Sequence, residues 1–444
     1  MRGVSPSGKP GKVRQWTSAA VAGVFIGLLA ALLAFGLGTG DVTGIALARE
    51  TVAPAAPSPA QCTGPSYPST RDPANPLLTT PAPPPSDPLR GANLLVLGPE
   101  HGVAAGAIAQ LLGMDTNVTL GSPLTAFPDT ESYAGFRASI SAQLAEEPAS
   151  VQRDVGLLEK IAQEPSALRI SAYTASGTPA GIYASARGLF CDTTMSDPGS
   201  VPLISTYFLH ATLGGCASTA QIDAYAPRFK AQIDAMAQGI ADNPAVIVAE
   251  EDAVGSSSCM AKRRSLPAWE ALMRYEDLTL EALPHTAVYM EGGYSDANTA
   301  AYAAKMLNAA GISRIQGFFT NDTHLQWTSH ELKYAAAVSK LTGGAHFIIN
   351  TAGNGRGPLL NPHPRTQGIE DLCNPPNRGL GIPDTTDPGL DPDLDALLWT
   401  APPGNSSGTC NGGPPSGTFW VARAEGLAAN ANAQLGPGYP SKPY

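Results

Sequence analysis

Charge is scarce in this 444-residue chain. Asp, Glu, Lys and Arg together make up 14% of it, against about 25% in an average soluble protein. What charge there is runs acidic, at a formal net −10. Binding a polyanion needs a Lys/Arg excess to neutralise its phosphates, so the composition argues against a nucleic-acid partner. Motifs are missing as well. None of the six cysteines (62, 191, 216, 259, 373 and 410) forms a CxxC or a His/Cys pair at metal-ligand spacing, so no metal site is expected. There is no GxGxxG after the first strand-like run and no GxxxxGK[ST] anywhere. Gly353-Asn-Gly-Arg-Gly357 is glycine-rich, but no helical pattern follows it directly, which argues against a nucleotide site. His210, His285, His324, His330, His346 and His363 have no nucleophile elbow to serve, so a serine hydrolase fits poorly. No solenoid or propeller period appears.

The N-terminus is where strong signals begin. Arg2, Lys9, Lys12 and Arg14 precede an apolar run from Ala19 to Gly38, and Ala46-Leu47-Ala48 offers an A-x-A cleavage site. Residues 1–48 therefore read as a signal peptide or membrane anchor, and either places the rest of the chain outside the cell. Contact with a membrane is expected only through this segment, if it is uncleaved. Residues 49–90 are Pro-rich with almost no hydrophobic periodicity, the pattern of a stiff linker. Six cysteines in an exported chain predict up to three disulfides, and spacing alone does not choose among their 15 connectivities.

After Gly91 short apolar runs alternate with helical patterns. Eight runs read as buried strands: 93–98, 168–174, 202–209, 245–252, 286–293, 314–321, 345–351 and 395–402. Between two of them Ile222, Tyr225, Phe229, Ile233, Met236 and Ile240 recur at helical spacing, with Pro227 predicting a late start or a kink. Thr328-Ser-His-Glu331 spells a capping box, and Gly311 suits the C-cap of a helix over 298–310. Such alternation over residues 91–444 indicates a parallel α/β sheet, and without nucleotide motifs a closed barrel is favoured over an open one.

In such a barrel, chemistry collects where strands end. Those ends carry Tyr207, Glu250-Glu251-Asp252, Glu291, Asn321-Asp322, Asn350 and the 400–410 loop. One such Asp is usually a helix N-cap. A whole rim of acids, amides and a Tyr suits a neutral, hydroxyl-rich ligand, and paired carboxylates suit acid/base cleavage of a glycosidic bond.

Several long motifs carry a family resemblance. Leu372-Cys-Asn-Pro-Pro-Asn-Arg-Gly-Leu-Gly381 is similar to W-C-N-P-P-G-R-G-L-G, and Asp395-Ala-Leu-Leu-Trp-Thr-Ala-Pro-Pro-Gly-Asn-Ser-Ser-Gly-Thr-Cys410 to D-A-x-L-W-x-K-P-P-G-E-S-D-G-T-C. Pro244-Ala-Val-Ile-Val-Ala-Glu-Glu-Asp252 resembles P-A-V-V-I-L-E-P-D. Val288-Tyr-Met-Glu-Gly-Gly-Tyr294 resembles V-Y-L-D-A-G-H, and Ile348-Ile-Asn-Thr-Ala-Gly-Asn-Gly355 resembles V-I-D-T-S-R-N-G. In this order, from about Pro202 to Leu427, they resemble glycoside hydrolase family 6, the cellobiohydrolases and endoglucanases.

The resemblance implies a distorted, partly open (β/α) barrel of about seven parallel strands. It implies inverting hydrolysis of a β-linked glucan without metal or cofactor, disulfides Cys216–Cys259 and Cys373–Cys410, and by remainder Cys62–Cys191. Asp252 falls on the general acid, whose pKa its apolar strand would raise. Tyr207 falls on the residue that distorts the sugar ring. Asn321 and Trp399 match sugar-site positions, with Asn350, Asn405 and Ser407 in the same loops. The departures are chemical. Ser407 replaces the Asp held to be the base, and Ala401 and Asn405 replace a Lys and a Glu. Glu291 replaces an Asp, Tyr294 a His, and Ala297 and Leu372 two Trps. The R-D-C motif is blurred into Thr212-Leu-Gly-Gly-Cys216, with no acid.

Serine is no anionic base, and an inverting enzyme needs one about 6.5–9.5 Å from its acid. Two readings follow. One is an O-glycosyl hydrolase in which a substitute carboxylate, Glu291, Asp322 or Asp296, activates water. The other is a catalytically silent glycan-binding protein on the same barrel. Both predict an extracellular monomer whose partner is a polysaccharide.

Overall fold

The computed structural model describes residues 87–114, 131–359 and 372–440. The expected export segment, the linker up to residue 86, and Cys62, with which the expected Cys62–Cys191 bridge would form, lie outside the described residues. Seven strands pair in chain order, all parallel: β1 (Leu168–Ser171), β2 (Leu203–Tyr207), β3 (Ala245–Ala249), β4 (Thr286–Glu291), β5 (Gly317–Thr320), β6 (His346–Asn350) and β7 (Leu394–Leu398). No ladder joins β7 to β1. One hydrogen bond, Ala167 N to Trp399 O at 2.9 Å, crosses that seam. The sheet is thus the distorted, partly open barrel that the sequence predicts.

Strand alternation sorts the side chains into two layers. Val246, Val248, Ala287, Tyr289, Phe319, Ile348, Ala396 and Leu398 fill the barrel interior. Their chain neighbours Ile247, Val288, Met290, Phe318, Phe347, Ile349 and Leu397 face outward onto the helices. Phe318, Phe319 and Phe347 are fully buried, and each such ring contributes about 1.5–3 kcal/mol. The same parity aims Arg169, Ser171, Tyr207, Glu291 and Asn350 inward as the strands reach their C-terminal ends, which is how apolar strands deliver a polar rim.

Three local expectations change. The run 93–98 is not a strand but one parallel bridge, Leu94 to Val201, just ahead of β2. Both edges of β2 are already taken by β1 and β3, so no ladder is left for it to join. Helix Thr219–Ile240 starts well before Pro227, because Ser218 and Gln221 form a complete capping box. Pro227 lies on the exposed face, as does Asp223, whose carbonyl loses its partner to the ring. Helix Thr328–Leu341 has Trp327, not Thr328, at its N-cap. Thr328 Oγ1 instead accepts from Asn354 Nδ2 at 3.0 Å, and Glu331 Oε1 from Ser295 N at 3.0 Å, so both groups brace rim loops. Helix Ala300–Ala310 ends at Gly311 with φ 100°, as expected. Cys216–Cys259 and Cys373–Cys410 are bridged, with Cα separations of 5.0 and 6.0 Å.

Candidate active site

Past Ala249 the chain turns sharply: Glu250 (φ 56°) and Asp252 (φ 64°) both take the left-handed backbone, which costs a non-glycine residue about 1–3 kcal/mol. That strain sends three consecutive acids to three places. Glu250 goes outward and is 1% exposed. Its oxygens accept from Phe208 N (2.9 Å) and Leu209 N (2.8 Å), closing the turn after β2. It stands against the fully buried Glu276, which accepts from Thr206 Oγ1 at 2.6 Å. Burial and the neighbouring acids push Glu250 well above the carboxylate range, and Glu276 to about 8. Glu251 goes inward and pairs with Arg169 of β1, whose guanidinium lies 5.3 Å over the ring of Tyr207.

Asp252 alone of the three stays partly open, with its side chain 24% exposed. Tyr294 Oη donates to its Oδ1 at 2.5 Å, and Thr323 Oγ1 lies 3.5 Å from the same atom. His210 Nδ1 stands 3.3 Å from Oδ2 and 3.1 Å from Tyr207 Oη. Burial works against the charged form, but the hydrogen bonds from His210 and Tyr294 and the charges of His210 and His324 outweigh it. Asp252 is therefore held below the ordinary carboxylate range. This corrects the expectation of a raised pKa: the apolar strand ends before Asp252, and the donors come from other elements. The Tyr294 ring stacks on His324 at 3.7 Å and 2°, and His324 Nδ1 meets Asp296 Oδ1 at 2.8 Å. Gly255 makes room for this pile, since a Cβ there would lie 2.2 Å from Tyr294 Cε2.

The remaining expected residues are mostly scaffolding in this geometry. Glu291 is 0% exposed and accepts from three backbone N–H groups, Val254 (2.5 Å), Gly255 (3.0 Å) and Gly293 (2.6 Å). Burial raises it to about 8. Asn321 and Asn350 exchange amide bonds: Asn321 Nδ2 to Asn350 O at 2.8 Å, and Asn350 Nδ2 to Asn321 O at 3.1 Å and Asp322 O at 2.9 Å. Trp399 is fully buried, with Nε1 donating to Ile382 O at 3.1 Å, so its ring lies in the core and not in the cleft. Asn405 is half-buried and bridges to Phe419. Ser407 is exposed, on a loop whose Ser407 N donates to Asn374 Oδ1 at 2.9 Å. Gly404-Asn-Ser-Ser-Gly408 does spell GxSxG, but Ser406 is 3% exposed and donates to Pro414 O at 2.7 Å, with no histidine among its partners.

Sequence reasoning passed over Arg169, His210, Thr323 and His324. A signal existed for two of them. Arg169 is an arginine at an inward position of a buried strand, and His210 follows Tyr207 by three residues, the spacing that sets side chains side by side on a turn.

A parallel α/β barrel with an open seam and a partly exposed carboxylate among hydroxyls and imidazoles at its C-terminal rim belongs to the class of barrel proteins with enzyme-type sites. Within that class the chain belongs to glycosyl hydrolases family 6, whose profile matches residues 139–431. It is 29% identical over 308 residues to Endoglucanase A of Cellulomonas fimi, covering 68% of this chain and 60% of that protein. With Endoglucanase 1 of Streptomyces sp. (strain KSM-9) it shares 29% identity over 312 residues, covering 68% and 79%. Among solved structures it is similar to the endoglucanase Cel6 from Mycobacterium tuberculosis in complex with methyl-cellobiosyl-4-deoxy-4-thio-β-D-cellobioside. There the identity is 28%, the TM-score 0.55, and the coverage 70% of this chain and 97% of the other.

Proposed function

We propose that this chain hydrolyses a β-linked glucan or a related polysaccharide outside the cell, with inversion, and that Asp252 is the general acid. One observation carries the reading. Asp252 is open to the cleft beside Tyr207, whereas Glu250, Glu251, Glu291 and Asp322 are each at most 5% exposed. Asp296 is more open but is paired with His324 on the loop after β4, so Asp252 is the strand-end carboxylate placed to reach a glycosidic oxygen, with Tyr207 against the sugar at the cleavage point. Kinship with endoglucanases supports the substrate class. Glu291, Asn321, Asn350 and Trp399 act by holding the rim in shape, and Ser407 and Asn405 stand on the loop that follows β7.

The alternative, a silent glycan-binding barrel, draws on the donors around Asp252, which favour its charged form, and on the uncharged Ser407. The two separate when the protein is incubated with amorphous cellulose, mixed-linkage β-glucan and wall polysaccharides, and new reducing ends are assayed. Hydrolysis lost in Asp252→Asn supports the enzyme. Measurable binding with no product from any glycan establishes the alternative.

A further inference from the structure

Asp322 is the rim carboxylate for which the mechanism above has no use. It is 5% exposed, and neither of its side-chain oxygens has a hydrogen-bond partner among the described residues. Its backbone is pinned. Asn321 turns the chain with φ 67°, Asn350 Nδ2 grips Asp322 O, and Asn321 Oδ1 accepts from Gln326 N at 2.7 Å. The charged and titratable groups of the surrounding rim come from every neighbouring strand. β1 brings Arg169, already donating to Glu251, and the end of β2 brings Tyr207 and His210. Glu251 and Asp252 follow β3, while Glu291, Tyr294 and Asp296 belong to β4 and its loop. His324 is on its own loop. Three carboxylates thus oppose a charge on Asp322, and one engaged guanidinium favours it. Burial without a donor and three facing carboxylates raise Asp322 well above the ordinary carboxylate range and favour its protonated form. Asp252, faced by Tyr294, His210 and Thr323, is the reverse.

We propose that Asp322 is the proton store of this site: it shares one proton with Asp252, holds that proton at rest, and passes it to Asp252 during turnover. The inference rests on Asp252 being the general acid. Asp322 acts through Asp252 and is thus a positioning residue. The proton passes from Asp322 to Asp252 and on to the departing glycosidic oxygen, which keeps the electron pair of the broken C–O bond, leaving both carboxylates charged. Water forms the new bond at the anomeric carbon, and the proton it releases restores Asp322. No hydrogen bond of its own opposes rotation of the Asp322 side chain, and the adjacent Thr323 hydroxyl is 3.5 Å from Asp252 Oδ1. A shared proton is retained to a higher pH than Asp252 alone would keep it.

Two measurements on the full chain test this. In carbon-13 NMR of aspartate carboxyls, with the Asp322 signal assigned by its loss in Asp322→Asn, the Asp322 midpoint falls by about one pH unit or more in Asp252→Asn. An unmoved midpoint overturns the shared proton, whether or not any glycan is cleaved. In kinetics, Asp322→Asn loses about 10²-fold or more in glucan turnover at neutral pH, through a basic limb displaced to lower pH. Hydrolysis of dinitrophenyl β-cellobioside, whose leaving group needs no proton, is unchanged. An Asp322→Asn profile that overlays the wild type overturns the inference while leaving Asp252 as the acid. Full glucan turnover in Asp252→Asn removes the general-acid reading itself, and the shared proton is then decided by NMR.

Discussion

The barrel has an aspartate gripped by a tyrosine and a histidine at each end. At the C-terminal rim Asp252 faces Tyr294 Oη at 2.5 Å and His210 Nδ1 at 3.3 Å. At the N-terminal end Asp395 faces Tyr289 Oη at 2.6 Å, His346 Nδ1 at 2.5 Å and, in addition, Gln316 Nε2 at 2.9 Å. The difference is closure. Asp395 is 1% exposed and Asp252 24%. Buried among its donors, the lower carboxylate is sealed and can only hold strands together. The upper one has a free approach and can meet a ligand. In α/β barrels the bottom serves stability and the top serves chemistry, and here nearly the same donor set is put to both uses.

Matched substitutions can break that division. Asp395→Asn is expected to cost about 3 kcal/mol or more in urea unfolding, because it leaves buried donors without their charged acceptor. Asp252→Asn should stay within about 1 kcal/mol, since Asn tolerates the left-handed backbone and keeps an acceptor at a partly wet site. Equal losses would mean that the top is as structural as the bottom. Removing the hydroxyls sharpens the contrast. Tyr289→Phe should lose about 1.5–3 kcal/mol, the range for a hydrogen bond to a charged group. Tyr294→Phe should lose less and instead move the Asp252 midpoint upward, read by carboxyl NMR.

The smallest effect is in pH. The hydrogen bond that His346 donates to Asp395 raises the imidazole above its ordinary 6.5. Its contribution to stability is complete below that value and is lost as pH rises through the folded one. Asp252, held below its ordinary 3.8, contributes above that value and loses its share as pH falls through the folded one. Unfolding free energies followed against pH should therefore flatten on the alkaline side in His346→Gln and on the acid side in Asp252→Asn.

The strands were legible because buried parallel strands are written as unbroken apolar runs, and positions 245–249 or 286–291 could hardly be anything else. Residues 93–98 carry the same signal without the outcome, since a free sheet edge is a property of the assembled barrel. Asp252 and Tyr207 were legible as strand ends. The proton affinity of Asp252 was not, because Tyr294, His210 and Thr323 reach it from three other elements. Trp399 and the Asn321–Asn350 exchange show the limit of motif matching: letters that align with a sugar site here belong to the wall behind it.

Gly255 constrains the history of this site. The ring of Tyr294 occupies the space where any side chain at 255 would begin, so the two positions are not free to vary independently. A lineage could acquire the tyrosine only on a background that already had glycine at 255. Once the ring was seated, any other residue at 255 would meet it before reaching anything else. Restoring a smaller residue at 294 is therefore the gate to further change, and relatives that carry a side chain at 255 should carry a smaller residue at 294.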